Sequence, residues 1–384
     1  MSKPIRILMS AIRGYGHYYL KTLFEEIPES DAILVGVIAP HPEKSAYYEE
    51  LIARGVPAYP DIDLFFKDGL KADLTVISSP IQYHVPQSIS ALRNGSHVLM
   101  DKPMCATAAE AEELIRVKNE TGLFVEIGYQ WSFSTAIQNL KTDILSGEFG
   151  RPLRAKTICL WPRDYAYYGR NNWAGKIRSV DGMPVYDSPA NNASAHHLHN
   201  LLFLLGDRME SSARPLDVSG NPYRTYDIEN FDTVSMRIVT ASGPEIFYYS
   251  SHAIEMARNP EFVIECEKAT ITLTPETGVI AAFMDGRTKS YGHPDADHQF
   301  KKLFRCIAAV NEPHPVVCPP EAALSQTICI EKLQHSPIEI ATFPEGLIVR
   351  EPERRWVRGL GEKIGSAYDR WEEMREWKSG KVEE

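Results

Sequence analysis

The chain has 384 residues, enough for two or three domains with a sizeable core. Its 43% hydrophobic and 24% charged residues are globular averages that exclude a disordered or low-complexity protein. A formal charge of −10 excludes a general affinity for nucleic acid or an anionic membrane, because both repel such a surface.

The N-terminus runs into a strand-like segment without a signal-peptide pattern, and no apolar window reaches a membrane span, so a soluble cytoplasmic protein is expected. From residue 5 to about 128, β-branched runs at 5–9, 33–39, 74–78, 97–100 and 123–127 alternate with helical patterns near 17–26, 44–54, 84–94 and 108–120. That alternation predicts a parallel sheet with crossover helices. Thr107 with Glu110 forms a capping box for the last helix. A helix over 135–147 closes at Gly147 and Gly150. Strands at 153–161, 231–239, 244–252, 262–266 and 269–273 then predict a second domain on an open sheet, with helices at 296–310 and 319–335. The six cysteines (Cys105, Cys159, Cys266, Cys306, Cys318 and Cys329) lack C-x-x-C spacing and are expected to be reduced and mostly buried. The tail from about 346 carries Trp356, Trp371 and Trp377. Tyr368, Trp371, Met374 and Trp377 recur every three residues, giving a helix an apolar face that docks on the body or on another subunit.

The first strand turns into a helix through Ser10-Ala11-Ile12-Arg13-Gly14-Tyr15-Gly16. Turns of this kind hold a dinucleotide's diphosphate through glycines and the helix N-terminus. G-x-G-x-x-G maps as Ala11-x-Arg13-x-x-Gly16, so only the last glycine, which permits close helix–strand packing, keeps its register. Gly14 supplies a permissive backbone, and Arg13 can meet a phosphate with its guanidinium. The second strand ends at Ala39, where an acid usually meets the ribose hydroxyls. With His41, Lys44 and Ser45 just beyond, NAD and NADP are both compatible. The competing reading is a turn that binds nothing.

After the fourth strand comes Met100-Asp101-Lys102-Pro103, and one strand earlier Ser78-Ser79-Pro80-Ile81-Gln82-Tyr83-His84. With Ala106-Thr107-Ala108-Ala109-Glu110-Ala111, these runs resemble the Gfo/Idh/MocA family, in which Asp101-Lys102-Pro103 stands for Glu-Lys-Pro. The likeness covers about residues 5–340 and is strongest over 78–132. It implies an α/β fold: an N-terminal Rossmann domain with a doubly wound parallel sheet (1–129), then an α/β domain with a large open, mostly antiparallel sheet (130–345). The tryptophan-containing tail (346–384) follows. The resemblance gives Lys102 contact with cofactor and substrate and a part in proton transfer. Ser79, Pro80, His84 and Asp101 join Ala11, Arg13, Gly14, Tyr15, Gly16, Ala39 and His41 as expected cofactor-binding residues. The family's D-x-G-x-H-x-x-D, followed by a leucine-rich run ending in glycine, aligns on Gly206 to make His196 the catalytic histidine. Asn192 and His199 replace the two aspartates, and Ser194 the glycine. An amide only hydrogen-bonds, so acid–base work rests on His196 with Lys102.

At about 100° per residue, Leu198, Leu201, Leu202 and Leu205 share one side of that helix, and His196, His199, Asn200 and Phe203 the other. This presents His196 and His199 together. A metal reading would use the same pair with Asp187, but no metal is expected. Residues 151–180 hold seven basic residues against Asp164 alone, among Trp161, Tyr165, Tyr167, Tyr168 and Trp173. Aromatic faces with amide and guanidinium donors suit a polyhydroxylated ring, and the surplus charge points to a carboxylate or phosphate on it. Asn192, His199, Tyr168, Arg170 and Trp173 are the expected substrate contacts. The resulting expectation is an NAD(P)-dependent dehydrogenase or reductase of a sugar, inositol or related polyol, assembled as a homodimer or homotetramer. The alternatives are a non-catalytic nucleotide or sugar sensor and an NAD-dependent glycoside hydrolase of the same family.

Overall fold

The alternating pattern of the first 128 residues folds as a six-stranded, wholly parallel sheet: β1 (Ile5–Ser10), β2 (Ala32–Ile38), β3 (Ala58–Tyr59), β4 (Leu74–Ile77), β5 (His97–Met100) and β6 (Val125–Ile127). Their order is β3-β2-β1-β4-β5-β6, so the direction of winding reverses between β1 and β4. Helices α1 (Tyr15–Glu25), α2 (Tyr48–Ala53), α3 (Ile62–Lys67), α4 (Ile81–Arg93) and α5 (Ala108–Thr121) make the crossovers. The capping box forms as its spacing predicts: the Glu110 amide donates to Thr107 Oγ1, and the Thr107 amide donates to Glu110 Oε2 at 3.0 Å. Gly122 closes α5 with a left-handed φ of 70°.

The computed structural model describes residues 3–312 and 315–374. It divides into two units: the chain up to Phe133 together with Asp297–Leu324, and Ser134–Ala296 together with the chain from Ser325 on. The sequence predicts one domain over 130–345, whereas the helix Lys301–Asn311 groups with the parallel sheet. Its Phe300, Leu303, Cys306 and Ile307 pack with Tyr19, Leu20 and Leu23 of α1 over Ile7, Met9, Leu74 and Val76. An i, i+3, i+7 apolar stripe says that a helix must be covered, but not which sheet covers it. Next along the chain, the Val317 and Cys318 amides donate to the Glu126 carboxylate at 2.8 and 2.7 Å, and the Ile127 amide donates to the Cys318 carbonyl. The returning segment thus covers the edge strand β6.

The second unit opens with α6 (Thr135–Ser146), β7 (Pro152–Leu160), α7 (Tyr165–Gly169) and α8 (Ala195–Leu204). There follow β8 (Pro215–Arg224), β9 (Thr233–Thr240), β10 (Glu245–Ser251), β11 (Arg258–Cys266), β12 (Ala269–Thr274), β13 (Gly278–Phe283), β14 (Thr288–Gly292) and β15 (Ala341–Thr342). With β7 they form a nine-stranded sheet, antiparallel except where β10 pairs with β7 and β15 with β8. Leu198, Leu201 and Leu202 of α8 are fully buried. Ile158, Leu160, Phe247 and Tyr249 pack with Leu360, Ile364, Ala367 and Tyr368 of the C-terminal helix Leu360–Arg370. Lys156 Nζ donates to the Tyr368 carbonyl at 2.8 Å, and the Met374 amide donates to Ser235 Oγ at 2.9 Å. Through Met374, then, the tail docks on its own chain. Trp377 lies outside the described residues.

Gly16 illustrates how tightly α1 is set against the first sheet. A Cβ there would lie 2.2 Å from the Ala11 carbonyl oxygen and 2.7 Å from Ser78 Oγ, whereas a Cβ on Gly14 meets nothing within 4 Å. Gly16→Ala is therefore expected to cost at least about 1–3 kcal/mol through overpacking, and Gly14→Ala, at φ 57°, about 1 kcal/mol of backbone strain. Urea unfolding of both variants checks the ranking.

Candidate active site

At the carboxyl ends of β1, β2 and β4, a cleft of about 460 Å³ brings together Ala11, Arg13, Ala39, His41, Ser79 and Pro80, all expected cofactor residues. Ligands collect at this switch point in open parallel sheets. Ala11 holds φ 64° where a glycine is usual, a conformation that costs a residue with a Cβ about 1 kcal/mol or more. Gly14 precedes α1, whose first turn carries no acid and is capped by no side chain among the described residues. Its unblocked N-terminus beside Arg13 suits a diphosphate. The same cleft includes Asp61, Tyr83 and Gln87, which the sequence reading missed. Gln87 Oε1 accepts from Ser10 Oγ at 2.8 Å and from Ser79 Oγ at 2.7 Å, tying the ends of β1 and β4 together. Asp61 caps α3 by accepting from the Leu64 amide, and no local signal distinguishes it from any other N-cap aspartate.

Two expected cofactor residues, His84 and Asp101, serve the protein's own framework. His84 is buried, with Nδ1 2.8 Å from the Pro103 carbonyl oxygen and Nε2 2.7 Å from that of Ser79, so its ring joins the loops after β4 and β5. Asp101 Oδ1 lies 3.2 Å from Lys302 Nζ, which also donates to the Gly128 carbonyl at 3.0 Å. Lys302 is 1% exposed and sits 5.0 Å from the Tyr15 ring centroid and 5.3 Å from that of Tyr19. Burial opposes its charge, but Asp101 and the two tyrosines outweigh it and raise its pKa well above the usual lysine value. Lys102 follows directly and is half-buried.

The second unit holds the remaining residues. His196 starts α8 and is half-buried, while His199 is 1% exposed and stacks on Phe203. His199 is buried although the helical wheel puts it on the side away from the leucines, because α8 is buried around nearly its whole circumference. Asn192 Nδ2 donates to Asp187 Oδ1 at 2.7 Å, Asp187 Oδ2 accepts from the Gly175 amide at 2.6 Å, and Arg170 approaches the same carboxylate at 3.7 Å. Asn192 and Arg170 thus meet through Asp187. The Tyr168 hydroxyl is 2.9 Å from His252 Nδ1, and Arg170 lies 5.2 Å from the Trp173 ring. Among the described residues, no group of three His, Cys, Asp or Glu side chains is placed to hold a metal ion.

The basic surplus over 151–180 is largely absorbed by acids distant in sequence. Arg151 pairs with Glu267, Arg154 with Glu265, Lys176 with Glu229 and Arg170 with Asp187. β7 lies antiparallel to β11, opposing Arg154 to Glu265, a pairing invisible to a local charge sum.

Sheet order, switch-point cleft and turn define an α/β protein of the dinucleotide-binding class. The sequence profile of the oxidoreductase family with an NAD-binding Rossmann fold, Gfo/Idh/MocA, matches residues 10–129. Inositol 2-dehydrogenase from Mycolicibacterium smegmatis is 32% identical over 275 residues, 68% of this chain and 72% of that protein, and the chain belongs to this family. The scyllo-inositol 2-dehydrogenase (NAD(+)) of Bacillus subtilis is 23% identical over 156 residues, 41% of this chain. The matches span 44% of the Bacillus protein and 26% of a 1,5-anhydro-D-fructose reductase from Ensifer adhaerens. The fold is shared with the WlbA dehydrogenase of Bordetella pertussis, solved with NADH and UDP-GlcNAcA, at a TM-score of 0.69 and 18% identity over 87% of this chain and 96% of that one. No helix among the described residues is long and apolar enough to cross a membrane.

The burial of His199 has a consequence for stability. Desolvation, with Lys141 nearby, lowers its pKa to about 3. Between pH 6.5 and about 3 the unfolded chain protonates this ring and the folded chain does not, so stability falls as pH drops through that window. His199→Leu is expected to lose less stability than the parent between pH 6.5 and 4.5, as read by urea unfolding at each pH.

Proposed function

We propose that the protein is an NAD(P)-dependent dehydrogenase or reductase of a sugar, inositol or related polyol. The observation that carries this is Lys102, set immediately after Asp101 at the carboxyl end of β5 in the sheet whose switch-point cleft suits a dinucleotide. The relatives' names, inositol dehydrogenases among them, support the substrate class. When bound, the nicotinamide supplies the hydride acceptor or donor at C4. His196 takes or returns the hydroxyl proton of the reacting carbinol, and Lys102 orients that hydroxyl and assists. Asn192, held by Asp187, fixes a further hydroxyl. Between the two cofactors we favour NAD. Ala39 leaves the end of β2 without an acid, but Asp61 brings a carboxylate into the same cleft, where a 2′-phosphate would be repelled.

Lys102→Ala and His196→Ala should each lower turnover by about 10²-fold or more on whichever polyol or sugar the parent oxidises. NAD should give a higher kcat/KM than NADP. Tight NAD binding without oxidation of any inositol or sugar in a broad panel would instead favour a sensor.

A further inference from the structure

One cluster in the second unit goes beyond that mechanism. The loop after β7 carries Arg163, whose guanidinium carbon lies 4.9 Å from the Tyr167 ring centroid and 5.7 Å from that of Trp161. Arg170 lies 3.8 Å from the same Tyr167 ring. The Arg163 amide donates to the His252 carbonyl at 3.1 Å, and the Tyr167 and His252 rings meet edge to face at 5.2 Å. Trp161 in turn meets the edge of His197, the neighbour of His196, at 5.6 Å.

Two buried polar atoms of this cluster find no partner among the described residues: Arg163 Nε and His252 Nε2. His252 is 2% exposed, and burial, then Arg163 and Arg170, push its pKa well below the usual value, so the ring is neutral. The Tyr168 hydroxyl lies 2.9 Å from Nδ1, and whichever of the two donates, Nε2 is left without a partner among the described residues. Arg163 Nε is an N–H donor, and a buried donor calls for an acceptor. Arg170 already shares its charge with Asp187, whereas Arg163 makes no ion pair among the described residues. Two guanidiniums, a neutral imidazole and aromatic faces favour an acceptor that is itself negative.

We propose that Arg163, Arg170 and His252 form a subsite for a carboxylate or phosphate group on the sugar substrate. The proposal rests on the oxidoreductase reading and narrows its substrate class to acidic sugars. Isothermal titration of the full-length protein with D-glucuronate, glucose 6-phosphate and glucose, with and without saturating NADH, tests it. At least one acidic sugar should bind about tenfold or more tighter than glucose, and which of the two it is identifies the group recognised. Arg163→Met should remove that advantage without lowering the melting temperature of the parent by more than a few degrees, and Arg163→Lys should restore part of it. The proposal is overturned if neither acid outbinds glucose on the parent protein, a comparison that needs no variant, or if a folded Arg163→Met retains the advantage. Failure to bind NADH counts against the oxidoreductase reading, whereas the sugar comparison decides the subsite in either case.

Discussion

The structure of the first unit turns on one buried ion pair, Lys302 with Asp101. Burying a lysine to 1% exposure is costly unless its charge is matched. Here Asp101, the Gly128 carbonyl and two tyrosine rings match it. The pair fastens a helix from residues 301–311 to the end of β5, one residue before Lys102. It also explains a glycine: a Cβ on Gly128 would lie 2.8 Å from Lys302 Nζ. The position of the proposed catalytic lysine thus depends on a segment two hundred residues further along the chain.

The second unit applies the same electrostatics to a different end. Arg154 pairs with Glu265 of the neighbouring strand β11, Lys176 with Glu229, and Lys156 donates to the Tyr368 carbonyl of the C-terminal helix. Against that background Arg163 stands apart, because it stacks on aromatic rings and faces no carboxylate partner among the described residues. A charged group left without an internal counterpart has to be accounted for by solvent or ligand.

Much of this was legible in the sequence because it depends on local pattern. Five of the six parallel strands, the capping box at Thr107, the packing role of Gly16 and the gathering of Ala11, Arg13, Ala39, His41, Ser79 and Pro80 follow from spacing and resemblance. What escaped depends on tertiary context. The apolar stripe on Phe300, Leu303 and Ile307 predicts a helix but not its sheet. The local surplus over 151–180 hides its counter-charges on β11. His199 sits on the side of α8 that a helical wheel marks as open, yet it is buried because packing surrounds the helix. Asp61, Gln87 and His252 reach their places through folding of distant segments, and no motif announces them.

The most direct test of this account is a double-mutant cycle on Asp101→Asn and Lys302→Met, read as unfolding free energy in urea. Each single change leaves a buried charge without its partner and should cost about 3–5 kcal/mol. The double variant should cost clearly less than the two combined, because the second change removes the charge that the first one stranded. Strictly additive costs would contradict the claim that this pair anchors the returning helix beneath Lys102.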